Sequence, residues 1–142
     1  MIYNYVKRLE YVEMNAKDFT YMVETKKSLN EAVVSVLRET EKKGWSVLQI
    51  HNLSDRLNAR GFKQKPMKVI EICSGKHANN FLNKDKLISL FMPCKINVFE
   101  DSGKIKIVSM KPLLISQFFS KVGKEEAEKV ENDIKEIINN AK

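Results

Sequence analysis

Long apolar runs are missing from this sequence, and cysteine, proline and glycine are scarce. No stretch approaches the ~18 consecutive apolar residues of a membrane span. The opening segment, MIYNYVKRLEYVEMNAKD, alternates charged and apolar residues and lacks the uninterrupted apolar core of a secretory signal. The expected compartment is therefore the cytoplasm, where thiols stay reduced, and the sequon Asn52-Leu53-Ser54 reads as a chance match. Two cysteines without a C-x-x-C motif exclude a disulfide-built scaffold and zinc-finger spacing. Three prolines and five glycines, with no repeat or low-complexity tract, leave nothing to split the chain. Dinucleotide, phosphate-loop, H-E-x-x-H and G-x-S-x-G patterns are absent, so a hydrolase or transferase is not expected.

What is present suits one globular unit. A chain of 142 residues buries about 68% of its unfolded surface, enough for a core without a metal or disulfide staple. Residues 1–18 read as an N-terminal extension, with Ile2, Val6, Leu9 and Val12 or Met14 on one side of a short helix. Residues 19–142 read as a single domain.

The local patterns are specific. DFTYMVETK alternates Phe19, Tyr21 and Val23 against Thr20, Met22 and Glu24, as a strand does. SLNE is a capping box, followed by an apolar stripe of Leu29, Ala32, Val33, Val36 and Leu37 that ends at Gly44. WSVLQIHNL and MKVIEIC read as two further strands, with a helical turn, SDRLNARG, between them. GKHANNFL is helical, and LISLF either continues that helix or extends toward Pro93. KINVFEDSGKIKIVSM forms a hairpin around Asp101-Ser102-Gly103, and Pro112 ends the pattern. The last helix carries Ala127, Val130, Ile134, Ile137 and Ile138 on one face. The order β-α-β(4)-α, with a helical insert, predicts an α+β fold: an antiparallel sheet of about five strands with helices packed on one face.

Charge is uneven. The tail from Lys124 to Lys142 holds four lysines and six acids, net −2, which leaves +9 of the formal +7 on the rest. Such a surface attracts polyanions or acidic partners. A basic module that binds nucleic acid or an acidic protein is therefore one functional expectation, although no Arg-rich run or RNA-recognition signature supports it. FKQKPMK, the densest basic segment, reads as a loop.

The other expectation centres on the cysteines. If the third and fourth strands are antiparallel neighbours, Cys73 at the end of one lies beside Cys94 at the start of the next. Cys73 precedes a helix start at Ser74-Gly75-Lys76, where free amides and Lys76 would stabilise a thiolate. His77 gives a Cys-x3-His spacing, so Cys73, Cys94 and His77 are candidate metal ligands, with His51 a fourth only if the second strand reaches the same edge. Glu71 and Glu100 are candidate acid–base carboxylates near the cysteines. Trp45 and Phe19 read as core. Three roles stay open for the two thiols: buried bystanders, a redox pair with Cys94 resolving Cys73, or metal contacts. No cofactor or small ligand is selected by these residues.

The ordered segments SLNEAVVSVLRETEKKGWSVLQIHNL, KVIEICSGKHA and LFMPCKINVFEDSGKIKIVSMKP resemble the prokaryotic domain-of-unknown-function family 302. The match runs from about Phe19 to Pro112, and a terminal helix follows in the family. Its most specific element, (L/M)PC-x-(I/V)-x-V-(Y/F)-E, falls on Met92 to Glu100. The resemblance implies a TATA-box-binding-protein-like arrangement and a homodimer. That fold likeness does not itself imply DNA binding. Family positions are matched by Cys73, Cys94, Gly44, Ala78, Pro93 and Glu100. Here C-S-G replaces the usual C-N-P after the first cysteine, Lys95 replaces Asn after the second, and His77 matches no typical family position. Members resemble domains found near redox and sulfur proteins, so the resemblance implies an accessory or binding role linked to thiols.

Overall fold

A computed structural model describes residues 14–142. The expected apolar face on Ile2, Val6, Leu9 and Val12 lies outside the described residues. Asn15 and Asp18 close a reciprocal cap around a four-residue helical turn, α1 (Ala16–Phe19), which leads into β1 (Thr20–Thr25). Phe19 therefore sits in a helical turn and not in the strand. Strand alternation begins one residue later, with Tyr21, Val23 and Thr25 turned to the helices and Thr20, Met22 and Glu24 to the opposite face.

Ser28 caps α2 (Leu29–Lys42) by accepting from the Glu31 amide at 3.2 Å. Gly44, at φ +82°, turns the chain out of α2 through a conformation that a Cβ would disfavour. Then come β2 (Ser46–Asn52), α3 (Leu53–Asn58), β3 (Met67–Cys73), α4 (Gly75–Lys84) and a 3-10 turn at Lys86–Phe91. That turn settles the segment LISLF, which neither continues α4 nor extends. The Met92–Pro93 peptide is cis. β4 (Cys94–Asp101) and β5 (Lys104–Met110) are joined by Ser102 and Gly103, both at positive φ, the two-residue turn whose twist matches a hairpin. A short 3-10 turn at Pro112–Leu114 runs into α5 (Ile115–Phe118), and α6 (Lys124–Ala141) ends the chain.

The five strands form one antiparallel sheet in the order β1-β5-β4-β3-β2. α2 and α6 pack against each other and cover one face. Ile70, Ile72, Ile96, Val98 and Ile107 from the sheet meet Ala32, Val33 and Val36 of α2, and all are buried. Ala127, Val130, Ile134, Ile137 and Ile138 of α6 complete this core, as the 3.6-residue stripe requires. Trp45 is in it as well, 5% exposed. The opposite face carries Met22, Met67, Val69, Phe99 and Val108 and stays partly exposed. The α+β class, the antiparallel sheet and the single helical face are those the sequence predicts.

Candidate functional site

The connection between β3 and β4 builds the site at one end of the sheet. Ile72 pairs with Cys94 across the two strands, and Cys73 is the last residue of β3. Ser74 then caps α4, its Oγ accepting from the His77 amide at 3.4 Å. Both cysteines line a cavity of about 30 Å³ closed by Trp45, Ile72, Phe81 and Phe91. The antiparallel pairing thus brings together two cysteines with twenty residues between them. Both are free thiols, not at disulfide distance. Burial pushes the Cys94 thiol up to about 11; the neighbouring Cys73 also raises it, and Lys95 lowers it. At neutral pH Cys94 is therefore a protonated, weakly nucleophilic thiol.

A larger cleft opens on the other side of Cys94. The β4–β5 ladder runs from Asp101–Lys104 up to Asn97–Val108 and stops there. Beyond that point Ser109 Oγ donates to the Lys95 carbonyl at 2.7 Å in place of a strand pair. The gap is a cleft of about 400 Å³, walled by Leu90, Phe91, Pro93, Val108, Met110 and Ile115. Its polar lining comes from Thr20, Lys95, Asn97 and Ser109. Lys95 is exposed and makes no ion pair with any described residue. Asn97 Oδ1 is buried without a hydrogen-bond partner, which is uncommon for a polar atom removed from water.

On the outer side of α4, Asp133 of α6 gathers three donors. Trp45 Nε1 donates to Oδ2 at 3.2 Å, His77 Nε2 lies 3.3 Å from the same oxygen, and Lys43 Nζ lies 3.5 Å from Oδ1. Lys43 also bonds Glu136, and that bond, with both carboxylates nearby, raises its pKa against the opposing effect of desolvation. Lys76 and Lys129 line the groove beside this group.

The predicted site residues are only partly united. Cys73 and Cys94 share a cavity, and Lys76 lies in the next groove along. His77 also reaches the inner cavity, but its ring is engaged by Asp133, and no three His, Cys, Asp or Glu among the described residues form a group that could hold a metal ion. The ligand set of Cys73, Cys94 and His77 is thus not assembled. His51 cannot complete it, because β2 is antiparallel to β3: Ser46 lies opposite Cys73, while His51 lies opposite Val69. His51 instead pairs with Glu71 at 2.7 Å on the uncovered face of the sheet. Glu100 is six residues along β4 from Cys94, about 20 Å away at strand rise. It also faces the side opposite to Glu71, so neither the carboxylate pair nor a supporting role for Glu100 beside the thiols is formed.

The cleft itself was not foreseeable. Asn97 sits between Ile96 and Val98 and reads as an ordinary outward position of an alternating strand. Asp133 reads as one more solvated acid of α6. No local pattern marks the place where a ladder stops.

The family model for the domain of unknown function DUF302 matches residues 21–141. No curated protein matches the chain. A crystal structure of an uncharacterized conserved DUF302 protein from Bacillus stearothermophilus is similar, with 25% sequence identity and a TM-score of 0.81. The alignment covers 87% of this chain and 98% of that one. With a family match that spans nearly all of the described domain, from β1 to the end of α6, the chain belongs to the DUF302 family.

Proposed function

We propose that this protein is a small-molecule binding protein whose site is the cleft between β4 and β5, and that its ligand has an apolar body and one anionic group. The observation that carries this reading is the end of the ladder at Asn97–Val108, which leaves a preformed space of about 400 Å³. That volume lies within the ordinary range for ligand sites, which are mostly apolar with a few placed polar groups. Lys95 supplies a free cation at the mouth, and the Asn97 carboxamide supplies hydrogen-bonding capacity on the floor. Leaving Asn97 Oδ1 unpaired disfavours the empty state by about 1–3 kcal/mol, an amount that a water donating to both Oδ1 and the ligand's anionic oxygen would recover.

Octanoate is a suitable probe, with octylamine as its opposite-charge control. Isothermal calorimetry is expected to show octanoate binding, weakened about tenfold in Lys95→Ala and removed in Val108→Trp, which fills the cleft. Octylamine binding as tightly as octanoate would reject the anionic group, and no binding of either would reject the site.

A second reading keeps thiol exchange, supported by the cavity that Cys73 and Cys94 share. Cys73 would attack a small disulfide and release one thiol. Cys94 would then attack the Cys73 sulfur and displace the partner sulfur, leaving a Cys73–Cys94 disulfide and a second free small thiol. Lys76 would favour the attacking thiolate. The spacing of the thiols and the protonation of Cys94 weigh against it. It requires Cys94 to ionise near neutral pH, which alkylation kinetics measure directly.

A further inference from the structure

The opposite end of the sheet carries a feature independent of the cleft. α3 and the loop after it place Arg56, Arg60, Lys63 and Lys65 on the surface, all exposed. None of the four lies within ion-pair distance of an acid among the described residues. Asp55, the one acid of this stretch, accepts from Asn52 Nδ2 at 2.6 Å within the cap of α3. Glu100 lies near the loop's end, where its amide donates to the Pro66 carbonyl. Asp101 beyond it is held by Lys106, whose hydrogen bond lowers its pKa.

Apolar side chains stand among these cations. Phe62 is 60% exposed and Leu53 37%. Leu53, Leu57 and Ala59 line a shallow groove together with Arg56 and Arg60. The loop that presents Phe62 is tied down. The Gln64 amide donates to Asn58 Oδ1 at 2.8 Å, Asn58 Nδ2 donates to the Gln64 carbonyl at 3.3 Å, and the Phe62 amide donates to the Leu57 carbonyl at 3.2 Å. Gly61, at φ +88°, makes the turn between them. A phenylalanine is thus held out in water by a stapled loop, beside an aliphatic groove and four uncompensated charges.

We propose that this tip docks on an anionic phospholipid surface. Arginine and lysine at the rim match the lipid phosphates and headgroup acids, while Phe62 and Leu53 enter the boundary between headgroups and acyl chains. Among the described residues no helix is long and apolar enough to cross a membrane, so the contact is a surface one. A nucleic-acid strand fits less well, because such sites stack successive bases on several aromatic rings. Here there is one ring and an aliphatic groove.

The test is sedimentation of the full chain with extruded vesicles, either pure phosphatidylcholine or the same lipid with about 30% phosphatidylglycerol. Binding is expected to the mixed vesicles alone and is lost as salt rises from roughly 0.1 M to roughly 0.5 M. Phe62→Ser and the pair Arg60→Glu with Lys63→Glu each weaken it by about tenfold or more, with unchanged circular dichroism. Lys124→Glu with Lys129→Glu, an equal charge reversal on exposed positions of α6, leaves it intact. Equal loss in that pair would mean attraction by net charge without a docking tip and would overturn the proposal. So would failure to bind the mixed vesicles at low salt, or binding to single-stranded DNA or polyglutamate with the vesicles left free.

Discussion

Iodoacetamide is expected to alkylate Cys94 of the folded protein about 100-fold more slowly than an unhindered cysteine at pH 7.5. A thiol moved from 9.0 to about 11 carries about one hundredth of the thiolate at any pH well below both values, and the thiolate is the reacting species. Peptide mass analysis after timed quenching separates Cys94 from Cys73. The pH dependence separates ionisation from simple occlusion. If burial acts through the proton, the rate rises about tenfold per pH unit through pH 9 and levels off only near 11. Alkylation at the rate of free cysteine would restore the thiol-exchange reading, because Cys94 could then serve as a resolving thiolate.

The same shift has a thermodynamic face. The folded state holds the Cys94 proton more tightly than the unfolded chain does. Its contribution is therefore complete below pH 9 and declines as pH rises from 9 toward 11, by roughly 2–3 kcal/mol in total. Lysines and tyrosines titrate in the same interval, so the informative quantity is a difference. The unfolding free energy of wild type minus that of Cys94→Ala should fall across this window, measured by urea denaturation at successive pH values. A constant difference would mean that Cys94 titrates alike in both states.

Ile134→Ala is the second change expected to act strongly. Ile134 is 1% exposed in the middle of α6, the helix that closes the core over the sheet. Removing its outer carbons loses transfer free energy and leaves a space that packed neighbours fill only in part, a loss of about 3–4 kcal/mol. That is a third or more of the stability of many domains of this size. Asp133 is next to it in sequence, so loosening α6 also withdraws the acceptor shared by Trp45, His77 and Lys43. The urea midpoint should drop sharply with an unchanged denaturant slope. A Leu90→Ala control, at a position 80% exposed, should move it little. A small effect of Ile134→Ala would show that α6 is not part of the cooperative core.

Much of this architecture is legible because each signal is local. Ser28 and Glu31 announce the start of α2, Gly44 its end, and the spacing from Ala127 to Ile138 the buried side of α6. Asp101-Ser102-Gly103 marks the hairpin. Even the meeting of Cys73 and Cys94 follows from two alternating strands and an antiparallel assumption. What fails is reasoning that needs to know which side or which end of a strand a residue occupies. Glu100 and Cys94 belong to one short motif, yet the strand carries them to opposite ends of the sheet. His51 comes late in β2 and so ends far from Cys73, where Ser46 lies instead. The Asp133 contact joins His77 to a residue 56 positions on, and the cleft exists because a ladder stops early; neither leaves a trace in spacing or composition. FKQKPMK is recognisable as a basic loop, but the outward setting of Phe62 depends on the Asn58–Gln64 clamp.

The strand order also constrains how the chain assembles. β2, β3 and β4 each pair with the next strand in the sequence, reached through a short connection or a small helical insert. β1 is different: Thr20 lies opposite Met110 and Thr25 opposite Ile105. The first strand therefore has no place to dock until the last strand has been laid down. Its late arrival adds little to the equilibrium free energy, since the entropy of closing a loop grows only with the logarithm of its length. Kinetically, distant pairings wait for nearer ones. During synthesis β1 is the first of these five strands to leave the ribosome and the last to find its neighbour. In pulse-labelled refolding, amides of β3 and β4 should gain protection before those of β1.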